Sequence, residues 1–315
     1  MGKIVGALAS SHAFAFLEPK EWDERRSQNR VSYQRRYGRE PAMAPEIESE
    51  TLDDNEQRYG RLRQAFDALR KQLADAHADV LVLIGDDQNE LFTSENMPQL
   101  AIYTGGDFVL SKRAQHPRAP FRSHAEFAQA LLERGVRENF DFATLGRFKD
   151  DELLSHAHWQ FLDYLLPELG LPVVLLVVNA IHYPAISPRR CYALGELIRR
   201  FIADRPDGER ALIAASGGLS HFTAGYPWKN YRGPFAYGSI SEEFDRKLLK
   251  KIETGEGRTL ADLTSEELLE HGDIEFRGWL TLLGTIGGVP SRFTVYEPFY
   301  RAIGGMAVAS WPAPN

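Results

Sequence analysis

The chain has 315 residues, of which 43% are hydrophobic and 26% charged, and its formal net charge is -7. That length and apolar content suit one large α/β domain or two smaller ones, and the acidic balance excludes general nucleic-acid binding, which needs a basic face. The single cysteine, Cys191, excludes an intramolecular disulfide framework and fits the reducing cytoplasm expected here, and no apolar run reaches the length of a membrane span.

Ile4 to Ala9 reads as a buried first strand rather than a leader, and Ser10-Ser11-His12 follows it. Residues 17 to 60 are charged and aromatic, too long for an ordinary connection, and are read as an inserted lid-like segment. Trp22, Tyr33 and Tyr37 would be wasted there in open solvent. Residues 56 to 76 predict an amphipathic helix, with Leu62, Phe66, Leu69 and Leu73 at helical spacing. Val80 to Gly85 is a clear buried strand. It ends in Asp86-Asp87-Gln88-Asn89-Glu90, which puts metal-capable oxygens beside the sheet edge. Leu100 to Tyr103 predicts a further strand.

Ser123 to Glu133 predicts a helix with Ser123 as N-cap and Glu126 completing a capping box. Phe140 to Leu145 predicts a short strand. A helical pattern starts at Glu152, and His156 and His158, two residues apart, cannot share its one face. Leu171 to Val178 is the strongest strand, exiting through Asn179-Ala-Ile-His182. Arg189 to Ile202 predicts a helix leading to a strand from Ala211, an order that supports parallel pairing. That strand ends in Ser216-Gly-Gly-Leu-Ser-His221, so another imidazole stands at a strand end, where α/β folds bind ligands.

Beyond it, Phe222, Tyr226, Trp228, Tyr231, Phe235 and Tyr237 suit the wall of an apolar pocket. Helices are expected over Ser241 to Ile252 with a capped start, over Thr264 to His271, and from Asp273, where Glu275 suits the dipole of the first turn. Met306 to Trp311 predicts a closing strand. His12, the 86–90 cluster, His182, His221 and Glu275 all sit past strand ends or at a helix start. Two histidines and one carboxylate with open positions are the pattern of non-haem Fe(II) oxygen chemistry, although spacing alone does not select it.

The chain resembles the class III extradiol ring-cleavage dioxygenases, the family of the catalytic subunit of protocatechuate 4,5-dioxygenase. The resemblance runs from Ile4 to Trp311, the insertion apart. It rests on Ser11-His12, Leu154-Ser-His156-Ala-His-Trp-Gln-Phe-Leu, Val178-Asn179 with Arg190-Cys-Tyr-Ala-Leu-Gly-Glu, Ser216-Gly-Gly-Leu-Ser-His221 and Ile274-Glu275-Phe-Arg-Gly-Trp279. It implies an Fe(II) held by His12 and Glu275, with His221 taking a proton from a bound catechol and His156 donating one as the ring opens. The family's second metal histidine falls at Gln88. Three readings follow: Gln88 ligates through its amide oxygen, Asp86, Asp87 or Glu90 supplies a carboxylate instead, or the metal is lost.

The expectation is therefore a single α/β domain spanning 1–315, with a central mostly parallel mixed sheet flanked by helices. Its expected function is Fe(II)-dependent extradiol cleavage of a catechol-type diol, such as protocatechuate, gallate or methylgallate, with O2. A metal-free homologue serving as a binding or regulatory subunit is the alternative. The expected partners are a small aromatic diol, O2 and further copies of the chain, with no nucleic acid and no membrane. A substrate carboxylate would call on Arg30, Arg35 or Arg36. His182 is the reserve ligand and His158 a possible pocket residue. His77, His116, His124 and His271 read as surface residues, and Cys191 as buried packing.

Overall fold

The computed structural model describes residues 1–109, 120–148, 154–166, 170–206, 208–223 and 236–314. Its strands are β1 (Lys3–Ser10), β2 (Val80–Gly85), β3 (Leu100–Tyr103), β4 (Ala143–Leu145), β5 (Val173–Val178), β6 (Arg210–Ser216), β7 (Phe293–Phe299) and β8 (Gly304–Trp311). They form one eight-stranded sheet in the order β4-β3-β5-β2-β6-β1-β8-β7. The centre, β5-β2-β6-β1, is parallel, whereas β8 joins β1 and β3 joins β5 antiparallel. The expected mixed, mostly parallel α/β sheet is therefore present.

The central strands are apolar on both faces because helices cover both. One layer holds α4 (Ala125–Arg137), α6 (Pro188–Ala203), α7 (Glu242–Glu253) and α9 (Phe276–Ile286), packed on Ile4, Val82, Ile84 and Leu176. The other holds α1 (Trp22–Tyr37), α3 (Leu52–Asp75) and α5 (His156–Leu165), packed on Leu8, Leu81, Leu83 and Leu175. Short α2 (Glu46–Ser49) and α8 (Ser265–His271) complete the set. Alternate residues of β2 thus serve opposite layers, as the pleat requires. Helices α6 and α9 cross in near backbone contact. A Cβ on Gly195 would lie 2.0 Å from the Thr281 carbonyl oxygen, so only glycine fits that crossing.

Several expectations need correction. β7 was not foreseen; it is an edge strand with a half-exposed pattern, paired to β8. The capping box at Ser123 does not form. Helix α4 starts at Ala125, and the partly exposed His124 caps it by accepting the Phe127 N–H at 3.3 Å. Ser241 sits at the N-cap of α7 without a side-chain capping bond. It pairs with the His271 ring at 2.8 Å, and that ring stacks on Phe244, so His271 is not loose on the surface. His158 is fully buried with its Nε2 on the Leu176 carbonyl at 2.9 Å, behind β2 rather than in a pocket. Cys191 is buried as expected. Phe222 and Tyr237 lie in the core, whereas Tyr226, Trp228, Tyr231 and Phe235, like His116 and the expected helix start at Glu152, fall outside the described residues.

Within residues 17–60, Trp22 is fully buried and Tyr33 is 3% exposed. The Trp22 indole N–H donates to the carbonyls of Phe14 and Leu17, at 3.1 Å each, and Asp23 pairs with Arg301. These contacts fasten α1 to the body of the protein. Among the described residues, no helix is long and apolar enough to cross a membrane.

Candidate active site

The carboxyl ends of β1, β6 and β2 lie side by side, because β6 is hydrogen-bonded between the other two. They deliver His12, Ser216-Gly217-Gly218 and Asp86 to one edge of the sheet. Glu275 reaches the same point from the N-cap position of α9. Its side chain makes no capping bond there, so its part is not the helix-start preference that its position suggests. Instead the Gly218 N–H donates to Glu275 Oε2 at 2.8 Å, and a Cβ on Gly218 would crowd the His221 ring at 3.2 Å. The double glycine thus keeps β6 close to Glu275 and His221, where a Cβ would press on the Glu275 backbone at 3.0 Å or on the His221 ring at 3.2 Å.

Glu275 is 3% exposed and surrounded. Gln88 Nε2 donates to its Oε1 at 2.6 Å, His221 Nε2 meets Oε1 at 3.2 Å, and His12 Nε2 lies 3.7 Å from Oε2. Burial pushes the carboxyl up, but the nearby His221 and His12 rings, with the hydrogen bonds, win and hold it below the usual carboxylate range. His12 turns Nδ1 to the Ser216 hydroxyl at 3.2 Å, which leaves Nε2 facing Glu275. Burial drives its pKa down to about 3, so the ring is neutral, with Nε2 the nitrogen turned toward Glu275.

Asp86 is 4% exposed, and neither carboxylate oxygen has a hydrogen-bond partner. Burial, then the neighbouring Glu275 charge, raises its pKa well above the ordinary value. The following residues differ sharply. Asp87 accepts the Leu91 and Phe92 N–H groups at 2.8 and 3.1 Å, closing the turn after β2. Glu90 accepts the Gln88 N–H at 2.8 Å through one oxygen and pairs with His156 Nδ1 through the other. Both are occupied by the chain itself, and Asp86 is not.

The two further imidazoles flank this group. His221 Nδ1 donates to the Leu219 carbonyl at 2.7 Å, which fixes Nε2 toward Glu275. Burial would lower its pKa, but the Glu275 carboxylate raises it to about 9. His156 sits edge-on to His12 with ring centres 4.7 Å apart. Burial again opposes charge, and Glu90 lifts its pKa to about 9. Two neighbouring histidines, His156 and His221, are thus held protonated by Glu90 and Glu275, whereas burial keeps His12 neutral.

A metal fits this set. One ligand atom each from His12, Asp86 and Glu275 lies within 4.8 Å of the others. A buried carboxylate with no partner costs several kcal/mol unless it is protonated or meets a cation. A nitrogen and two carboxylate oxygens with open positions is a donor set for a first-row divalent ion. Gln88, by contrast, spends its amide N–H on Glu275. His182 is in the following turn of β5, tied to Asn179 at 2.9 Å, and does not line the cavity.

The group opens into a cavity of about 670 Å³ lined by His12, Gln88, Glu90, His156, His221, Glu275 and residues of α1 and α5. That volume is in the range of pockets for organic ligands larger than a single ring. Of the three arginines expected to meet a substrate carboxylate, only Arg36 lines it; Arg30 pairs with Glu40 at 3.1 Å and Arg35 is not in the wall. Arg25 was not foreseen. It stands with Asn29, Ser32 and Arg36 at four-, three- and four-residue steps, a helical face legible in the sequence once α1 is known to cover the cavity. Glu90 was foreseen only as a possible ligand, and its pairing with His156 carries no sequence signal.

An eight-stranded α/β sheet with imidazoles and carboxylates at its carboxyl edge defines a class, and comparison with known proteins gives the family. A family model described as the catalytic LigB subunit of aromatic ring-opening dioxygenase matches residues 42–307, and the chain belongs to that family. Gallate dioxygenase of Pseudomonas putida is 27% identical over 179 residues, which cover 55% of this chain and 48% of that protein. The match thus spans about half of gallate dioxygenase. The 2,3-dihydroxyphenylpropionate/2,3-dihydroxicinnamic acid 1,2-dioxygenase of Paraburkholderia xenovorans is 27% identical over 303 residues, covering 82% of this chain and 88% of that protein. The resemblance drawn from the sequence motifs is therefore borne out at the level of the family.

Proposed function

We propose that this protein is an Fe(II)-dependent extradiol dioxygenase that opens the ring of an aromatic diol with O2, its metal held by His12, Asp86 and Glu275. The observation that carries the reading is Asp86, a buried carboxylate without a partner, facing a neutral imidazole and a second carboxylate. Family membership and the relatives that act on gallate and on 2,3-dihydroxyphenylpropionate support the substrate class. Bound Fe(II) supplies Lewis acidity toward the diol oxygens and the electron transfer that O2 requires.

The protein's own groups do the rest. His221 is locked by its Nδ1–H bond to Leu219, so Nε2 is the nitrogen that exchanges a proton with a diol hydroxyl. It must first lose its own proton, and a cation held by Glu275 would weaken the contact that keeps it on. His156, kept protonated by Glu90 on Nδ1, has Nε2 as its remaining nitrogen, and in this reading that nitrogen donates the proton as the ring opens. Gln88 fixes Glu275 by its amide N–H and acts as a positioning group. The resemblance alone put Gln88 among the metal ligands; in this reading Asp86 takes that place.

The test is anaerobic loading with Fe(II), followed by gallate, protocatechuate, methylgallate and 2,3-dihydroxyphenylpropionate under oxygen. The expected result is one O2 consumed per diol and a coloured ring-opened product from at least one of them. Metal-loaded protein that consumes no O2 with any of the four refutes the reading. Failure to retain iron at all would favour the metal-free homologue.

A further inference from the structure

The polar face of α1 has no place in the chemistry just described. Arg25, Asn29, Ser32 and Arg36 fall on one side of the helix and line the cavity that holds His12, His156, His221 and Glu275. A helix that turns a face to a binding cavity usually presents apolar residues there. Here the face is wholly polar, with a guanidinium near each end. The two arginines stand three turns apart, about 16 Å along the axis. Arg36 marks the end facing the loop after β5, close enough to His182 to help lower that ring's pKa, after burial. The cavity lining also carries Glu90, Asp163 and Glu275, so carboxylates share it with the guanidinium groups of α1.

This wall is pre-formed. Trp22 and Tyr33 anchor α1 in the core, the Tyr237 hydroxyl donates to Asn29 Oδ1 at 2.5 Å, and Arg26 donates to the Arg301 carbonyl. A rigid wall lets a charged contact form without the cost of ordering a loop. Helix α1 also lies before residue 42, outside the span matched by the family model.

We infer that α1 is the specificity wall of the site, and that Arg25 and Arg36 select aromatic diols carrying a carboxylate on a side arm that reaches the helix. This rests on the dioxygenase reading, because it takes the diol to lie at His12, Asp86 and Glu275. A guanidinium matches a carboxylate fork to fork, which suits such an arm better than a neutral one.

The test compares 2,3-dihydroxyphenylpropionate with its methyl ester on iron-loaded protein, in the wild type and in Arg25→Gln, Arg36→Gln and Arg30→Gln. Arg30 lies off the cavity and pairs with Glu40, so its variant is the control for lost charge on the helix. Wild type is expected to prefer the acid through KM. In at least one of the two cavity variants the acid's KM rises about tenfold or more, with kcat changing less than about twofold, while Arg30→Gln keeps the preference. The preference is also expected to survive 0.5 M salt, because a direct contact is screened far less than long-range steering. No preference in the wild type, its retention in both cavity variants, or its disappearance with salt would overturn the inference. If no diol is turned over, anaerobic calorimetric titration with acid and ester reads the same preference, so a failed dioxygenase reading and a failed specificity wall remain distinguishable.

Discussion

Asp86→Ala changes stability in opposite directions with and without metal. In the metal-free protein Asp86 has two buried oxygens and no partner. Removing an unsatisfied buried group recovers about 1 to 3 kcal/mol, against a packing loss of about 1 kcal/mol for a small side chain. The metal-free variant is therefore at least as stable as wild type, although most buried substitutions destabilise by about 1 kcal/mol. In wild type, metal at a hundred times its Kd adds about 2.7 kcal/mol, or about 5 °C at roughly 2 °C per kcal/mol for a chain of this size. The variant, lacking one of three ligands, gains under about 1 °C under the same conditions. The pH dependence has a definite sign. A carboxyl whose folded pKa lies above its unfolded value near 3.9 keeps its proton only in the folded state between the two. The contribution of Asp86 to the stability of the metal-free protein therefore falls as pH rises above about 4, so stability falls less, or rises more, with pH in the variant than in wild type. Scanning calorimetry on chelator-treated protein, then on protein reloaded anaerobically with Fe(II), measures all three. A variant that is destabilised without metal yet keeps the full metal-induced shift would refute the reasoning.

Other outcomes follow from the same geometry. Gln88→Ala is expected to retain iron with affinity weakened about 10- to 100-fold, the usual cost of losing a group that orients a ligand, whereas His12→Ala and Glu275→Ala lose it; metal analysis after dialysis checks this. His221→Gln keeps the metal and lowers kcat about 10²- to 10⁴-fold, read by O2 uptake at saturating diol. Cys191, fully buried with its pKa pushed up to about 12 by burial, stays unlabelled by iodoacetamide in native protein and reacts on unfolding. Gly195→Ala forces a Cβ to within 2.0 Å of the Thr281 carbonyl oxygen and is expected to cost about 2 kcal/mol or more, read as a fall in Tm.

Much of the sheet was legible because its central strands are buried on both faces. β2 and β3 are continuous apolar runs over the expected residues, and β1, β5 and β6 differ from expectation only at their ends. β7 was missed because Phe293-Thr-Val-Tyr-Glu-Pro-Phe299 is an edge strand that reads as irregular without its partner. The Ser241 cap failed because its hydroxyl pairs with His271 instead, and the Ser123 cap because α4 starts at Ala125, one residue beyond its reach. At the site, His12, His156, His221 and Glu275 were found through their motifs, and the structure gathers all four. The acidic run was legible as a metal-capable cluster but not resolved into its members. Asp86, Asp87 and Glu90 are equivalent as carboxylates in sequence, and only the path of the chain after β2 gives Asp87 to the Leu91 and Phe92 amides, Glu90 to His156, and leaves Asp86 unpartnered. The arginines failed for a similar reason: without the rotation of α1, nothing separates Arg30 on the outer face from Arg36 on the inner one.

Anomalous diffraction at the iron edge, from crystals grown anaerobically with Fe(II), tests the central claim most directly. The account predicts one peak bound by His12 Nε2, an oxygen of Asp86 and an oxygen of Glu275, with the Gln88 amide still on Glu275. A peak held by Gln88 in place of Asp86, or no peak among these residues in protein that retains iron, would contradict it.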